Sequence, residues 1–272
     1  MSNLVVRAIT GFFFALIIIG SIQLGSWIQA MAFGIFLILG LNEFSTLFKD
    51  TDYRQSPSIT VIIGTLIYSI FVLSRTINFS TEILFCIVFV LFFLVFLIEI
   101  WRKQTLPLVS ISVFVFGIIY LVVPFILMNR LVLVNSNSFS PLLGMIVLIW
   151  SNDTFAYLFG RKIGKTPLFE RISPKKTWEG TIAGIIMTLI SSVVIGLLTD
   201  SDDIIFWLIS GLIIAPSAIF GDLLESLFKR SMKIKDSGNI LPGHGGILDR
   251  FDAVLFTVPF FYLWCLIYEQ II

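Results

Sequence analysis

Residues 82–100 read EILFCIVFVLFFLVFLIEI, with no charge between Glu82 and Glu99. A helix rises 1.5 Å per residue, so about 20 apolar residues cross a hydrocarbon core roughly 30 Å thick. Lipid offers the backbone no hydrogen-bond partner, so a run of this kind must satisfy itself as a helix. Working outward, comparable runs fall near 4–24, 27–47, 58–77, 107–128, 141–160, 179–198, 204–226 and 251–271. The expectation is an all-α, polytopic integral membrane protein of about nine transmembrane helices. Composition agrees: 57% of the 272 residues are hydrophobic, 13% are charged, and 28 are phenylalanine. Water-soluble domains carry about 25% charged residues. The first run has a signal-peptide look, but Ala30-Met31-Ala32 lies inside the next apolar run, so an uncleaved helix is expected. Cys86 and Cys265 both sit in apolar runs and suggest neither disulfide nor zinc. A net charge of +1 suggests no nucleic-acid partner.

Basic residues orient the chain. With the N-terminus in the cytoplasm, sixteen Lys and Arg fall on the cytoplasmic side, and only Arg75 and Arg130 fall outside. That is a positive-inside pattern. Residues 1–140 have short loops and read as a transmembrane scaffold, a lipid-facing wall or a homodimer surface. Residues 141–272 carry two longer basic cytoplasmic loops and read as the catalytic region, since long, chemically specific loops usually carry function.

The second of those loops runs SLFKRSMKIKDSGNILPGHGGILDRFD over 226–252. Just before it, Asp222 and Glu225 share one face of the eighth span at i and i+3. Carboxylates at membrane depth cost at least about 2.5–3.5 kcal/mol each, so they are paired or functional. Asp222 and Glu225 either pair with Lys229 or form a metal site, with Asp249 as the second carboxylate and Mg²⁺ as the hard cation expected. Gly221, Ala215 and Ala218 allow close helix approach there. The turn Pro242–Gly246 leads into the ninth span, and its backbone N–H groups suit phosphate oxygens. Lys175 and Lys176 either set topology and touch anionic headgroups or clamp a triphosphate. Asn152 and Asp153 either line the same cavity or make structural hydrogen bonds. Glu43 and Glu99 read as interfacial, and Trp101 and Trp178 as belt residues.

The 226–252 stretch resembles the signature of the phosphatidate cytidylyltransferase (CDP-diacylglycerol synthase) family along its length. The matching residues are Ser226, Lys229-Arg230, Lys235-Asp236, Leu241-Pro242, His244-Gly245-Gly246, Asp249-Arg250 and Asp252. Upstream, SPKKTWEG at 173–180 and Asn152-Asp153-Thr154 with Ala156-Tyr157 are also similar. The resemblance is sharp over roughly 140–272. It implies transfer of CMP from CTP to phosphatidic acid, giving CDP-diacylglycerol and pyrophosphate at the cytoplasmic face of the cell's inner or plasma membrane. It implies Asp222, Asp249, Lys229, Arg230 and Asp252 as catalytic, with Asp222 and Asp249 on Mg²⁺ and room for a second cation. It implies Ser173, Lys175, Lys176, Asn152, Asp153, Lys235, Asp236, His244, Gly245, Gly246 and Arg250 as substrate-binding. His244 is expected to contact phosphate or support structure, because a phosphate monoester, with a second pKa of about 6, needs no base near neutral pH. The rivals are a CTP-dependent polyprenol kinase and an ion-coupled secondary transporter. No inverted repeat of broken spans supports the transporter, and the Asp-Gly-opening aspartate motif of CDP-alcohol phosphotransferases is absent.

Overall fold

A computed structural model describes residues 3–48, 51, 56–77, 79–103, 105–134, 139–199, 204–234, 236–238, 240 and 245–271. It is all-helical apart from one short hairpin. The chain divides into two compact units. The first comprises Met1–Asn129 and Asp236–Asp249, and the second Arg130–Lys235 and Arg250–Ile272. The first break between the units falls at 129/130. The segment 236–249, from the heart of the signature, joins the N-terminal unit.

The first unit holds α1 (Asn3–Gln23), α2 (Ser26–Leu47), α3 (Pro57–Leu73), α4 (Thr81–Arg102), α5 (Pro107–Gly117), a π-helical stretch (Ile118–Val122) and the start of α6 (Val123–Leu131). The second holds α7 (Pro141–Ile163), β1 (Pro167–Phe169), β2 (Ser173–Thr177), α8 (Trp178–Thr199), α9 (Ile204–Ser231) and most of α10 (Leu248–Ile271). Pro57, Pro107 and Pro141 each open their helix, where the missing N–H costs nothing and φ is already helical. Ser80 caps α4, its hydroxyl accepting from the Ile83 amide at 3.4 Å.

Among the described residues seven helical segments are long and apolar enough to cross a membrane. They are 26–47, 81–102, 107–131 (running through the π stretch), 141–163, 178–199, 204–231 and 248–270. The other two expected spans are shorter as apolar helices: Ile9–Gln23 and Pro57–Leu73. A 17-residue helix reaches only about 26 Å at 1.5 Å per residue.

The two units are packed by different means. In the first, Phe33 and Phe125 meet edge to face with centroids 6.1 Å apart. Tyr68 donates to the Ala30 carbonyl at 2.7 Å, and the Asn129 amide donates to Tyr68 at 2.6 Å. Arg75 lies over the Trp27 ring and donates to the carbonyls of Ser26 and Asn129. Arg75 is thus a helix-end clasp. In the second unit, α7 and α8 approach through small residues. A Cβ on Gly180 would lie 2.6 Å from the Ala156 carbonyl and 2.8 Å from Gly160 Cα. Gly184 leaves equally little room beside Asn152 and Ala156. Lipid tails are as apolar as the helices, so such backbone approach and interhelical hydrogen bonds drive packing in place of a hydrophobic gradient.

Candidate active site

The basic loop after α7 is an ordered hairpin, an element missed by a reading that saw only loop there. Strands β1 and β2 pair antiparallel, with Pro167 opposite Thr177 and Phe169 opposite Ser173. The strands are three and five residues long and contain Pro167 and Pro174, so they lack the alternating pattern by which strands are read. Glu179, in the first turn of α8, fastens the hairpin's base. Its carboxylate accepts from the backbone N–H groups of Lys165 and Thr166 and from the Thr166 hydroxyl, at 3.0–3.2 Å. The Trp178 amide donates to the Thr166 carbonyl at 2.9 Å. Motif residues Trp178 and Glu179 therefore hold up the strand that carries Lys175 and Lys176.

Lys176 uses that support. Its Nζ lies 2.5 Å from Asp222 Oδ2 on α9. The hairpin motif and Asp222, whose numbers differ by 46, thus meet at one ion pair. Both side chains stay partly accessible, at 27% and 33%, so water or substrate can reach them. Lys175 and Ser173 do not share this contact; Lys175 points to the exterior and Ser173 is half-buried. The Ser226 hydroxyl donates to Asp222 Oδ1 at 3.3 Å. Pairing of Asp222 with Lys229, one of the readings open in the sequence, is replaced by this arrangement, because Lys229 pairs with Glu225 at 3.4 Å. Glu225 is buried, so the lysine one turn on offsets a charge that the membrane interior would otherwise penalise.

Gly221 explains how a second carboxylate reaches Asp222. A Cβ there would lie 2.8 Å from the Asp252 carbonyl and 2.9 Å from Ala253 Cα, so α9 and α10 touch backbone to backbone. Asp252 consequently interacts with Asp222, Glu225 and Lys229. Asp153, exposed on α7, lies within electrostatic reach of Asp252, Asp222, Lys176 and Arg250. Asn152 faces the other way. It is buried and donates to the Ala215 carbonyl on α9 at 3.0 Å, which is the structural one of its two anticipated roles. Arg230 is exposed and bends back to the Ile234 carbonyl at 3.4 Å.

Asp249 belongs to the first unit, whereas Asp222 belongs to the second. Its Oδ2 accepts from the Ser237 amide at 2.9 Å, the Ser237 hydroxyl at 3.0 Å and the Gly246 amide at 2.8 Å. Next to it, Glu43 is buried within the protein. It accepts from the Ile247 amide at 2.9 Å and the Leu248 amide at 3.0 Å. The Gly246 amide, in the turn expected to suit phosphate, and the Ile247 and Leu248 amides that follow it are therefore taken by the protein's own carboxylates. Gly245 adopts φ 82°, a left-handed conformation that favours glycine. Asp236 is exposed. Lys235 and His244 lie outside the described residues. Glu99, the other acid read as interfacial, is also buried; it pairs with Arg102 and accepts from the Ser110 hydroxyl at 3.0 Å.

Sequence reasoning missed two positions, Glu43 and Glu179. The signal available for both is the cost of a carboxylate inside or beside an apolar run.

Residues 5–268 match the cytidylyltransferase family. A phosphatidate cytidylyltransferase of Rickettsia prowazekii is 37% identical over 217 residues, covering 77% of this chain and 92% of the relative. One from Bacillus subtilis is 47% identical over 117 residues, covering 43% of this chain and 44% of the relative. One from Staphylococcus saprophyticus is 49% identical over 115 residues, with 42% and 44% covered. A family match running almost end to end, on a chain whose basic hairpin meets an intramembrane carboxylate, decides the assignment: this chain belongs to the cytidylyltransferase family.

Proposed function

We propose that the chain is a CTP:phosphatidate cytidylyltransferase of phospholipid biosynthesis. The observation that carries this reading is the Lys176–Asp222 ion pair beside Asp252, which brings a basic hairpin to a cluster of carboxylates at a membrane helix. A nucleotidyl transfer between two anions needs both signs of charge at one place. A lipid phosphate oxygen attacks the α-phosphorus of CTP; the bond from that phosphorus to the oxygen bridging to the β-phosphate breaks, and pyrophosphate leaves. CMP is joined to the lipid as CDP-diacylglycerol. Such chemistry rests on positioning and electrostatics and needs no covalent nucleophile.

Lys175, Lys176, Lys235 and Arg250 draw in and orient the triphosphate. Lys229 and Arg230 offset charge at the cytoplasmic end of α9. Ser173, Asp236, His244, Gly245 and Gly246 are the further proposed substrate contacts.

The donor set fits a hard cation, since the acids near Asp222 present only oxygen. Among the described residues no three metal-binding side chains close on a single point. Mg²⁺ tolerates that, because it keeps several waters and substrate phosphates and needs only one or two carboxylates. Asp222 and Asp249 are the proposed ligands, with Asp252 and Asp153 supporting a second cation. When bound, Mg²⁺ neutralises triphosphate charge and stabilises the leaving pyrophosphate.

All nine apolar helical runs cross the cell membrane in this proposal, with the N-terminus and both basic loops in the cytoplasm, where CTP is found. Lipid tails reach the site from the bilayer. The exposed Phe85, Phe89, Phe93 and Phe96 of α4 face lipid or a second copy in a homodimer.

The test is incubation of the purified protein with phosphatidate, Mg²⁺ and CTP labelled at either the α- or the γ-phosphate. Label from the α-position in the lipid product is expected. Label from the γ-position would instead indicate a CTP-dependent lipid kinase, and no lipid labelling with ion-driven uptake into proteoliposomes would indicate a transporter.

A further inference from the structure

Glu43 lies on the second helix, almost two hundred residues before the signature, and outside every motif discussed above. Within the first unit Glu43 is 5% exposed, and the backbone donors it takes, Ile247 and Leu248, come from the signature segment. Oε1 accepts from the Ile247 amide at 2.9 Å and Oε2 from the Leu248 amide at 3.0 Å. The Leu248 amide opens α10 and the Ile247 amide immediately precedes it, at a helix N-terminus where N–H groups have no partner within the helix and the helix dipole favours an anion. The Ser237 hydroxyl lies between Glu43 and Asp249, within hydrogen-bonding reach of each.

The glycines of this segment are fitted to Glu43. A Cβ on Gly238 would fall 2.6 Å from Glu43 Oε1, and one on Gly246 would fall 2.5 Å from Oε2. Both glycines leave the space that the carboxylate fills. The Gly246 amide then turns to Asp249 at 2.8 Å. Removing the Glu43 carboxylate would release the Ile247 and Leu248 amides together. It would also remove the wall against which Gly246, and through it Asp249, is set. Glu99 shows the contrast, because its partners Arg102 and Ser110 lie 3 and 11 residues away, and it holds only neighbouring helix ends.

We infer that Glu43 is a positioning residue of the cytidylyltransferase site. It clasps the Gly245–Leu248 turn from the N-terminal unit and so sets the direction of Asp249. This rests on the function proposed above. It assigns to the N-terminal helices a direct part in forming the site, beyond scaffolding.

The experiment compares full-length wild type, Glu43→Gln and Glu43→Asp in detergent. The amide oxygen of Gln can accept from one of the two backbone N–H groups, but its NH₂ faces the other. Two readouts are taken: hydrogen exchange of the 236–249 segment, and kcat and KM for CTP and phosphatidate per folded molecule. Losing a charge-assisted hydrogen bond typically corresponds to about ten- to a hundredfold in an equilibrium constant. Glu43→Gln is therefore expected to raise exchange at Ile247 and Leu248 by about tenfold or more while exchange around Phe33 and Phe125 stays as in wild type. The KM for CTP and the Mg²⁺ concentration for half-maximal rate should rise together, with the KM for phosphatidate moving less. Glu43→Asp, which keeps both acceptors on a shorter arm, should fall between the two, and carries the test if the Gln variant fails to fold. Wild-type exchange at 247 and 248 in both variants would overturn the clasp. So would raised exchange throughout the unit with normal KM and Mg²⁺ dependence per folded molecule, since that marks a merely structural residue. Wild-type protein that transfers no CMP would overturn the proposed activity instead, and the exchange readout would still decide the clasp.

Discussion

Glu99 on α4 and Asp222 on α9 are both carboxylates in helices long and apolar enough to cross a membrane, yet the two regions use them in opposite ways. Glu99 is buried and pairs within its own neighbourhood, with Arg102 one turn away and Ser110 at the start of the next helix. Asp222 stays partly accessible and takes its cation from Lys176, on a strand of a separate hairpin. A local partner neutralises an acid so that its helix can pack. A partner delivered from a distant loop brings opposite charges to a place substrate can reach. The surroundings match these uses: α4 presents phenylalanines outward, whereas α7 and α8 pack through Gly160, Gly180 and Gly184, and α9 meets α10 at Gly221, where backbones come close.

That contrast can be broken, and the largest effect should come at Asp222. Asp222→Asn keeps the shape but removes the charge. It is expected to lower kcat by at least about 10²-fold, the loss typical of a misplaced catalytic group, with little change in the thermal midpoint of the substrate-free protein. Near-normal turnover per folded molecule across a Mg²⁺ titration would place Asp222 in the same class as Glu99. Asp249→Asn is expected to lower kcat similarly, and would also loosen Ser237 and Gly246.

The hairpin comes next. Lys176→Ala should raise the KM for CTP by about ten- to a hundredfold, as for loss of a charge-assisted contact worth about 1.5–3 kcal/mol. Lys175→Ala should do so less, because Lys175 lies outside the ion pair. Equal effects of the two would mean that the loop acts through bulk charge alone, and unchanged CTP kinetics in both would leave these lysines a role only in topology. Glu99→Gln is the converse variant. It should lower stability by about 1 kcal/mol, in the range measured for polar contacts between membrane helices, and leave kcat and both KM values near wild type. A large loss of turnover there would erase the distinction.

The smallest perturbation tests orientation. Lys175→Cys should resist an impermeant thiol reagent in intact cells, and Thr76→Cys should react with it. The reverse pattern would invert the proposed topology.

Residue order alone determined that this chain is a set of membrane helices. Unbroken apolar runs and scarce charge leave the backbone no other way to satisfy its hydrogen bonds in lipid. It also marked where chemistry is concentrated, because the polar residues clustered in 173–180 and 226–252 stand out against so apolar a background. Tertiary structure decided which of those residues meet. The hairpin carrying Lys175 and Lys176 is too short and proline-interrupted to show a strand period, so only the fold revealed that Lys176, and not Lys229, takes Asp222. Asn152 and Asp153 are adjacent in the chain, but helix rotation sends one into the packing of α7 on α9 and leaves the other near the carboxylates. Glu43 read as an interfacial acid because its partners lie more than 200 positions away. A periodicity or a motif records local order, whereas a carboxylate held by the backbone of a remote turn exists only once the chain has folded back on itself.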